Sequence, residues 1–109
     1  MGFRRAAFAR LRHDEPVTES FLAIYTYVAD MEQRRVPHRE AHLAWLRGLA
    51  ERGTLLVAGA TREPPDTGML VLRGADVLEV RRLLLDDPYA AANLIVGVVV
   101  RSFGLAIGG

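Results

Sequence analysis

The chain has 109 residues, half of them hydrophobic and a quarter charged, with a formal net charge of +1 at pH 7 and no cysteine. This length suits a single globular domain, and the near-neutral charge gives no case for nucleic acid as a partner. The lack of cysteine excludes disulfides and thiolate chemistry, and the longest apolar run, residues 90–100, is shorter than the ~20 residues that cross a bilayer. We therefore expect a cytoplasmic protein with no membrane partner.

The first twenty residues are rich in arginine but show neither a convincing strand pattern nor a long apolar stripe. No sufficiently long apolar stretch follows these arginines, which argues against a signal peptide. We interpret residues 1–20 as a flexible N-terminal extension, with a basic arm that contacts a partner as the alternative. The domain is expected to span residues 21–104, followed by a loose tail over residues 105–109.

Residues 21–28 are rich in aromatic and β-branched side chains and are predicted to form the first strand. A charged loop over residues 29–36 then leads to an amphipathic helix over residues 37–53. Pro37 suits the first helical position, and Gly53 suits the left-handed conformation that ends many helices.

The predicted helix separates into a polar and an apolar face at about 100° per residue. The solvent face is expected to carry Glu40, Ala44, Arg47 and Glu51, and the opposite arc Leu43, Trp45, Leu46, Leu49 and Ala50. His42 falls in the middle of the apolar arc, and His38 and Arg39 lie on the same arc one turn earlier. An imidazole and a guanidinium directed at a core need polar partners or a cavity. This helix therefore indicates a functional site.

Two further strands, over residues 55–61 and 68–73, are predicted to pair as an antiparallel hairpin. The sequence Pro64-Pro65 between them is a strong turn signal. Gly59, inside the first of these strands, indicates a bulge or the close approach of another group.

A second helix is predicted to begin at Asp76, because Glu79 three residues later completes a capping-box pattern. Its apolar stripe is expected to consist of Val77, Val80 and Leu84. The helix should end at Asp87-Pro88, since a residue before proline avoids the helical region. After a short turn over residues 89–93, residues 94–103 form the last strand, and its continuous apolar run favours burial on both faces.

The resulting order, β-α-β-β-α-β, predicts an α+β protein of the ferredoxin-like type, with two helices on one face of a four-stranded antiparallel sheet. The other face still carries apolar side chains, and no element of the chain remains to cover them. We therefore predict a homodimer in which two copies pack sheet to sheet.

His42 and Asp87 are the candidate catalytic residues. The imidazole of His42 is suited to general acid or base catalysis, and a core histidine bound to a backbone carbonyl is the alternative. If Asp86 faces solvent, Asp87 points inward and could orient His42. The ordinary role of an aspartate at this position is to end a helix in a turn, and that is the alternative for Asp87.

The candidate substrate-binding residues are Arg39, Gly59 and Tyr89. Arg39 could bind a carboxylate or a phenolate, although a partly buried stem with a solvated head is an equally good interpretation. His38 and His42 are four residues apart on the helix, but no third ligand follows, so no metal is expected. No cofactor is expected either.

Three motifs together resemble the YCII-related, or YciI-like, family: residues 42–46 (His-Leu-Ala-Trp-Leu), residues 53–59 with their Ala-Gly ending, and Asp87-Pro88-Tyr89. The resemblance implies a dimeric α/β-barrel of ferredoxin-like subunits. It also implies an active site at His42 and Asp87. Some relatives are assigned to lyase-type or dehydrochlorinase steps on aromatic breakdown products, and many have no known activity. The usual Ala-Gly-Pro is Ala-Gly-Ala here, which affects the pocket rim.

The sequence thus favours a cofactor-independent acid–base enzyme, of the lyase, isomerase or dehydrochlorinase type, acting on a small cyclic or aromatic-derived substrate. In this hypothesis His42 transfers the proton, Asp87 orients it, and Arg39 holds an anionic group. The alternative is a non-catalytic module that binds a small molecule or mediates dimeric interactions, because a fold does not fix a function.

Overall fold

The computed structural model describes residues 19–108. The strands are β1 (Glu19–Tyr27), β2 (Leu55–Ala60), β3 (Thr67–Gly74) and β4 (Ile95–Ser102), and the helices are α1 (Met31–Arg34), α2 (Arg39–Glu51), α3 (Val77–Leu84) and α4 (Pro88–Ala91). The strands form one sheet in the order β2-β3-β1-β4, with every neighbouring pair antiparallel. This arrangement confirms the predicted ferredoxin-like α+β fold.

Strand β1 lies in the centre of the sheet, between β3 and β4. Its alternate residues Phe21, Ala23, Tyr25 and Tyr27 are all buried and face the helices. The strand begins earlier than predicted, at Glu19, because its first two residues still pair with the end of β3. Strand alternation therefore delivers two tyrosines from β1 to the layer between sheet and helices.

Helix α2 begins at Arg39 rather than at Pro37, because Pro37 belongs to a 3₁₀ turn, Val36–His38, that precedes the helix. The helix ends at Glu51, and Gly53, two residues later, adopts the predicted left-handed conformation with a φ of 80°. The N–H of Thr54 donates to the carbonyl of Leu49 at 2.9 Å, and the N–H of Gly53 donates to that of Ala50 at 3.0 Å. These two bonds form a Schellman motif, which satisfies carbonyls that the helix end would leave free.

The faces of α2 largely follow the predicted pattern, although Arg39, assigned to the apolar arc, is exposed at the start of the helix. The predicted solvent residues Glu40, Ala44, Arg47 and Glu51 are exposed. His42 and Leu49 are the buried residues of the helix. Ala50 is exposed, contrary to prediction, because it is turned about 100° from Leu49 toward the solvent side.

The segment predicted as a charged loop over residues 29–36 contains helix α1 instead. The N–H of Arg35 donates to the carbonyl of Met31 at 2.9 Å, and Met31 is buried in the core with 1% exposure. A helix this short is not stable through local propensity. Burial of its single apolar side chain explains why a charged sequence turns helical here.

Helix α3 begins at the predicted cap, where the carboxylate of Asp76 accepts the N–H of Glu79 at 2.8 Å. The helix ends at Leu84, earlier than predicted, because the N–H groups of Asp86 and Asp87 turn back to the carbonyls of Leu83 and Leu84. Pro88 then begins the next helix, α4. Val77, assigned to the buried stripe, is exposed, whereas Val80 and Leu84 are in the core.

The last strand, β4, forms an edge of the sheet, and the expectation that both its faces are covered is wrong for the single chain. Val96 is 66% exposed and Val99 is 48% exposed. Opposite the helices, the sheet presents an apolar surface that we call the open face, made of Leu22, Ile24, Val57, Met69 and Val99.

Gly59 lies in a regular part of β2. The irregularity in pairing with β3 falls between Leu55 and Val57, so the predicted bulge at Gly59 is wrong. Among residues 19–108, no atom lies within 4 Å of the position that a Gly59 Cβ would take. Within residues 19–108, no helix combines the length and the apolar character needed to cross a bilayer.

Candidate functional site

His42 and Asp87 meet beneath the helices. His42 lies near the start of α2, and Asp87 is the residue that caps the N-terminus of α4. The Nδ1 of His42 is 2.7 Å from the Oδ1 of Asp87. Asp87 has no exposed surface and His42 is 8% exposed, while Asp86 is exposed to solvent as the hypothesis for this pair requires.

The carboxylate of Asp87 accepts hydrogen bonds from three parts of the chain. Besides His42, the N–H of Tyr89 donates to Oδ1 at 2.9 Å, and the hydroxyl of Tyr25 donates to Oδ2 at 2.9 Å. A buried carboxylate is costly unless several donors satisfy it, and these donors meet that requirement. Among residues 19–108, no buried polar side-chain atom lacks a partner.

Burial and the neighbouring carboxylate act together on the tyrosines of β1. Burial, and then the negative charge of Asp87, raise the pKa of Tyr25 and of Tyr27 far above the ordinary value for tyrosine. Both phenols therefore stay protonated at neutral pH. Tyr25 accordingly serves as a hydrogen-bond donor to Asp87.

The imidazole of His42 is fixed on two sides. Its ring stacks on the ring of Tyr89, with centroids 3.7 Å apart and planes 6° from parallel. An ionised carboxylate can only accept, so the neutral tautomer that suits this contact carries its proton on Nδ1 and leaves the lone pair on Nε2. Nε2 makes no hydrogen bond to any residue from 19 to 108, so it is available to a ligand.

His42 lines a cavity of about 140 Å³ between α2 and the β2–β3 hairpin. The other lining residues are Tyr27, Arg35, Arg39, Leu43, Leu46, Ala58, Gly59, Ala60, Met69, Leu70 and Tyr89. An engineered cavity of about 150 Å³ in another protein binds benzene. The cavity beside His42 is therefore large enough for one six-membered ring.

The three residues predicted to bind substrate all line this cavity. Burial raises the pKa of Tyr89, and the positive charges of Arg35 and Arg39 partly offset that rise. Gly59 forms an open part of the wall, since no atom of the part of the chain that the structure describes lies close to where its side chain would begin. His38, at the start of α2, is half-buried and does not line the cavity.

Sequence reasoning missed Tyr25, Tyr27 and Arg35 as members of this site. The alternation of β1 was sufficient to place the two tyrosines on one face, but not to show that the face meets Asp87. Arg35 falls in the predicted loop, and in the structure it lies between α1 and the 3₁₀ turn, where no local pattern shows that it faces the same cavity as Arg39. Among residues 19–108, no group of three His, Cys, Asp or Glu side chains is arranged to hold a metal ion.

Comparisons with known proteins agree with this fold. The model of the YCII-related domain matches residues 7–104, and its match begins upstream of the domain start predicted at residue 21. No curated protein sequence matches the chain.

Several solved structures are similar, including the following two. The 5-chloro-2-hydroxyhydroquinone dehydrochlorinase TftG from Burkholderia phenoliruptrix, in complex with 2,5-dihydroxybenzoquinone, has a TM-score of 0.68 at 22% identity over 78% of this chain and 93% of that one. An uncharacterised NIPSNAP-like domain protein from Burkholderia xenovorans has a TM-score of 0.52 at 15% identity over 87% of this chain and 91% of that one. These levels of identity establish the shared fold. Because the family model covers nearly all of the chain, the chain belongs to the YCII-related family, and it has the fold of the dimeric α/β-barrel proteins.

Proposed function

We propose that this protein is a cofactor-independent acid–base enzyme in which His42 transfers a proton on a small cyclic substrate and Asp87 orients His42. The observation that carries the proposal is the hydrogen bond from His42 Nδ1 to a fully buried Asp87, which leaves Nε2 beside a cavity of ring size. A general base must lie within hydrogen-bond reach of the proton that it removes. A ligand in this cavity would meet that condition.

The proposed chemistry begins with Nε2 removing a proton from the ring-shaped substrate. Asp87 then faces an imidazolium and stabilises its new positive charge across a short, buried hydrogen bond. In an isomerase the same proton is returned to a different atom. In a dehydrochlorinase the electron pair left by the proton forms a new double bond, and chloride departs with the electrons of its own bond.

The range of substrates worth testing follows from the cavity and from the fold. The cavity admits a single ring, and one protein with this fold is a dehydrochlorinase of a chlorinated hydroxyhydroquinone. We therefore propose a panel of phenolic, lactone and halogenated single-ring compounds. Among these, the aromatic-derived compounds are the preferred class.

Replacing His42 with alanine should lower kcat by about 10²–10⁴-fold on any substrate that turns over, since a positioned base contributes that much. Asp87→Asn should also lower kcat strongly, because an amide can hold the imidazole in the wrong tautomer. Steady-state kinetics on purified variants measures both effects, and the free energy of unfolding shows whether each variant is folded.

The chain offers matched controls for both variants. His38→Ala removes a histidine from the 3₁₀ turn just before α2 without touching the cavity, and Asp86→Asn neutralises the exposed neighbour of Asp87. Both should keep normal turnover. Equal rates for His42→Ala and His38→Ala would remove His42 from the mechanism. Tight ligand binding with no turnover across the panel would support a binding module instead.

Tyr25 acts through Asp87 and is proposed as a positioning residue. Tyr25→Phe removes one charged hydrogen bond from a carboxylate that water does not reach, so it should lower the free energy of unfolding by about 1.5–3 kcal/mol. It should also lower kcat without changing KM. Urea unfolding and steady-state kinetics measure the two effects.

Tyr27→Phe is the matched control for Tyr25→Phe. Tyr27 lies two residues along the same strand face, and its hydroxyl makes no hydrogen bond to a residue between 19 and 108. Its loss should therefore change stability much less. If both variants lose the same free energy of unfolding, the hydrogen bond from Tyr25 to Asp87 does not contribute to stability and this prediction is wrong.

We also propose that the open face is covered by a second copy of the chain. Val57, Met69 and Val99 are 51%, 40% and 48% exposed, which is unusual for apolar side chains that share one sheet face. Two such faces packed together would bury these side chains around a two-fold axis.

Sedimentation analysis should give twice the monomer mass for the natural protein and a monomer for Val99→Lys, because a buried unpaired charge opposes the packing of two sheets. Leu85→Lys is the matched control, since Leu85 is 72% exposed but lies at the end of α3, on the helix side of the sheet and not on the open face. It should remain dimeric. A monomeric natural protein, or a dimeric Val99→Lys variant, would contradict the proposal.

A further inference from the structure

One side of the cavity is a single helical stripe. Arg39, His42, Leu43 and Leu46 of α2 line it, and their spacing of three, four and seven residues places them on one helical face. Arg35 lines the cavity too, from the segment between α1 and the 3₁₀ turn that precedes α2. In chain order the two guanidinium groups come first, His42 follows, and the two leucines come last, so the cavity has a cationic end and an apolar end.

The two arginines at the cationic end lack carboxylate partners. Among the described residues, neither Arg35 nor Arg39 forms an ion pair, whereas the adjacent Arg34 lies 3.6 Å from Asp30. Two guanidinium groups that line the same small cavity repel each other. A bound anion would relieve that repulsion, and the planar guanidinium group is suited to an anion with two oxygens.

The arginines also line a second, wider cavity of about 500 Å³, which shares both guanidinium groups with the inner one but not the leucines. The wider cavity carries a third guanidinium, from Arg62, and two carboxylates, from Glu32 and Glu63. Neither carboxylate lines the inner cavity. The positive charge of Arg35 and Arg39 at the boundary of the two cavities would attract an anionic ligand.

The other polar groups of the inner cavity fit the same kind of ligand. Tyr27 and Tyr89 line it and supply hydroxyl donors, while no carboxylate is found among the described lining residues. The one basic acceptor is Nε2 of His42. A neutral apolar ring would leave these donors without partners, whereas an anionic oxygen would accept from them.

We propose that Arg35 and Arg39 form an anion-binding subsite, and that the ligand is a single ring bearing a planar anion with two oxygens. Such an anion is supplied either by two oxygens on adjacent ring carbons, as in a deprotonated catechol, or by a ring carboxylate. The anion binds at the arginines, the far edge of the ring packs on Leu43 and Leu46, and His42 lies beside the middle of the ring. The claim that this anion is the substrate of the reaction rests on the proposed function. The claim that the anion binds does not rest on it and is tested separately.

The test measures binding of non-reacting probes to the full chain by calorimetry. The probes are 4-nitrocatechol at a pH where it is ionised, benzoate, and the neutral ring nitrobenzene. At least one of the two anions should bind more tightly than nitrobenzene, by about tenfold or more. The anion that binds more tightly shows whether the subsite prefers two adjacent ring oxygens or a carboxylate. Arg35→Met and Arg39→Met should each weaken that binding by about tenfold or more.

Arg34→Met is the matched control, because it removes the same charge one residue away from Arg35 but outside the cavity. It should change anion binding by less than about threefold, the scale of screened surface charges. Equal effects of Arg34→Met and Arg35→Met, or equal binding of nitrobenzene and both anions, would overturn the subsite.

Failure of the subsite and failure of the proposed function are distinguishable. His42→Ala should keep binding the anion, because the arginines remain. Arginine-dependent anion binding in a natural protein that turns over no substrate would contradict the enzyme and support the subsite. Turnover of neutral rings with no preference for anions would support the enzyme and contradict the subsite.

Discussion

A carboxylate with no contact with water ties together three elements that are distant in the sequence. Asp87 accepts hydrogen bonds from Tyr25 in β1, from His42 in α2, and from the backbone of Tyr89 in its own α4. Each donor is needed to offset the cost of burying the charge. The position of His42 is therefore set by the requirements of Asp87 as much as by the helix that carries it.

The same constraint gives the site its chemical character. Because the Asp87 bond occupies Nδ1 of His42 and the stacked ring of Tyr89 fixes the plane of the imidazole, only Nε2 remains for a ligand. The fold then places a ring-sized cavity at that nitrogen, with cationic side chains at one end and leucines at the other. An arrangement of this kind favours proton transfer on a polar, anionic ring over binding of a purely apolar one.

Much of the fold could be predicted from the sequence, because periodicity and capping residues are local. The alternation in β1, the glycine stop of α2 and the Asp76 cap of α3 each follow from a few neighbouring residues. The errors fall where tertiary contacts decide. Helix α1 depends on burial of Met31, and the exposure of β4 depends on its place at the edge of the sheet. The contact of His42 with Asp87 could be suspected from residue type. The hydrogen bond from Tyr25 in β1 and the position of Arg35 in the cavity wall could not, because both depend on how distant segments of the chain pack together.

The tautomer of His42 tests the central claim most directly. Two-bond ¹H–¹⁵N correlation NMR of the natural protein, at a pH where His42 is neutral, reports which ring nitrogen carries the proton. The structure predicts a protonated Nδ1 with a bare Nε2, and Asp87→Asn should disturb that preference while Asp86→Asn does not. A neutral His42 protonated at Nε2 would mean that Asp87 does not hold the imidazole as a base, and the proposed mechanism would be wrong.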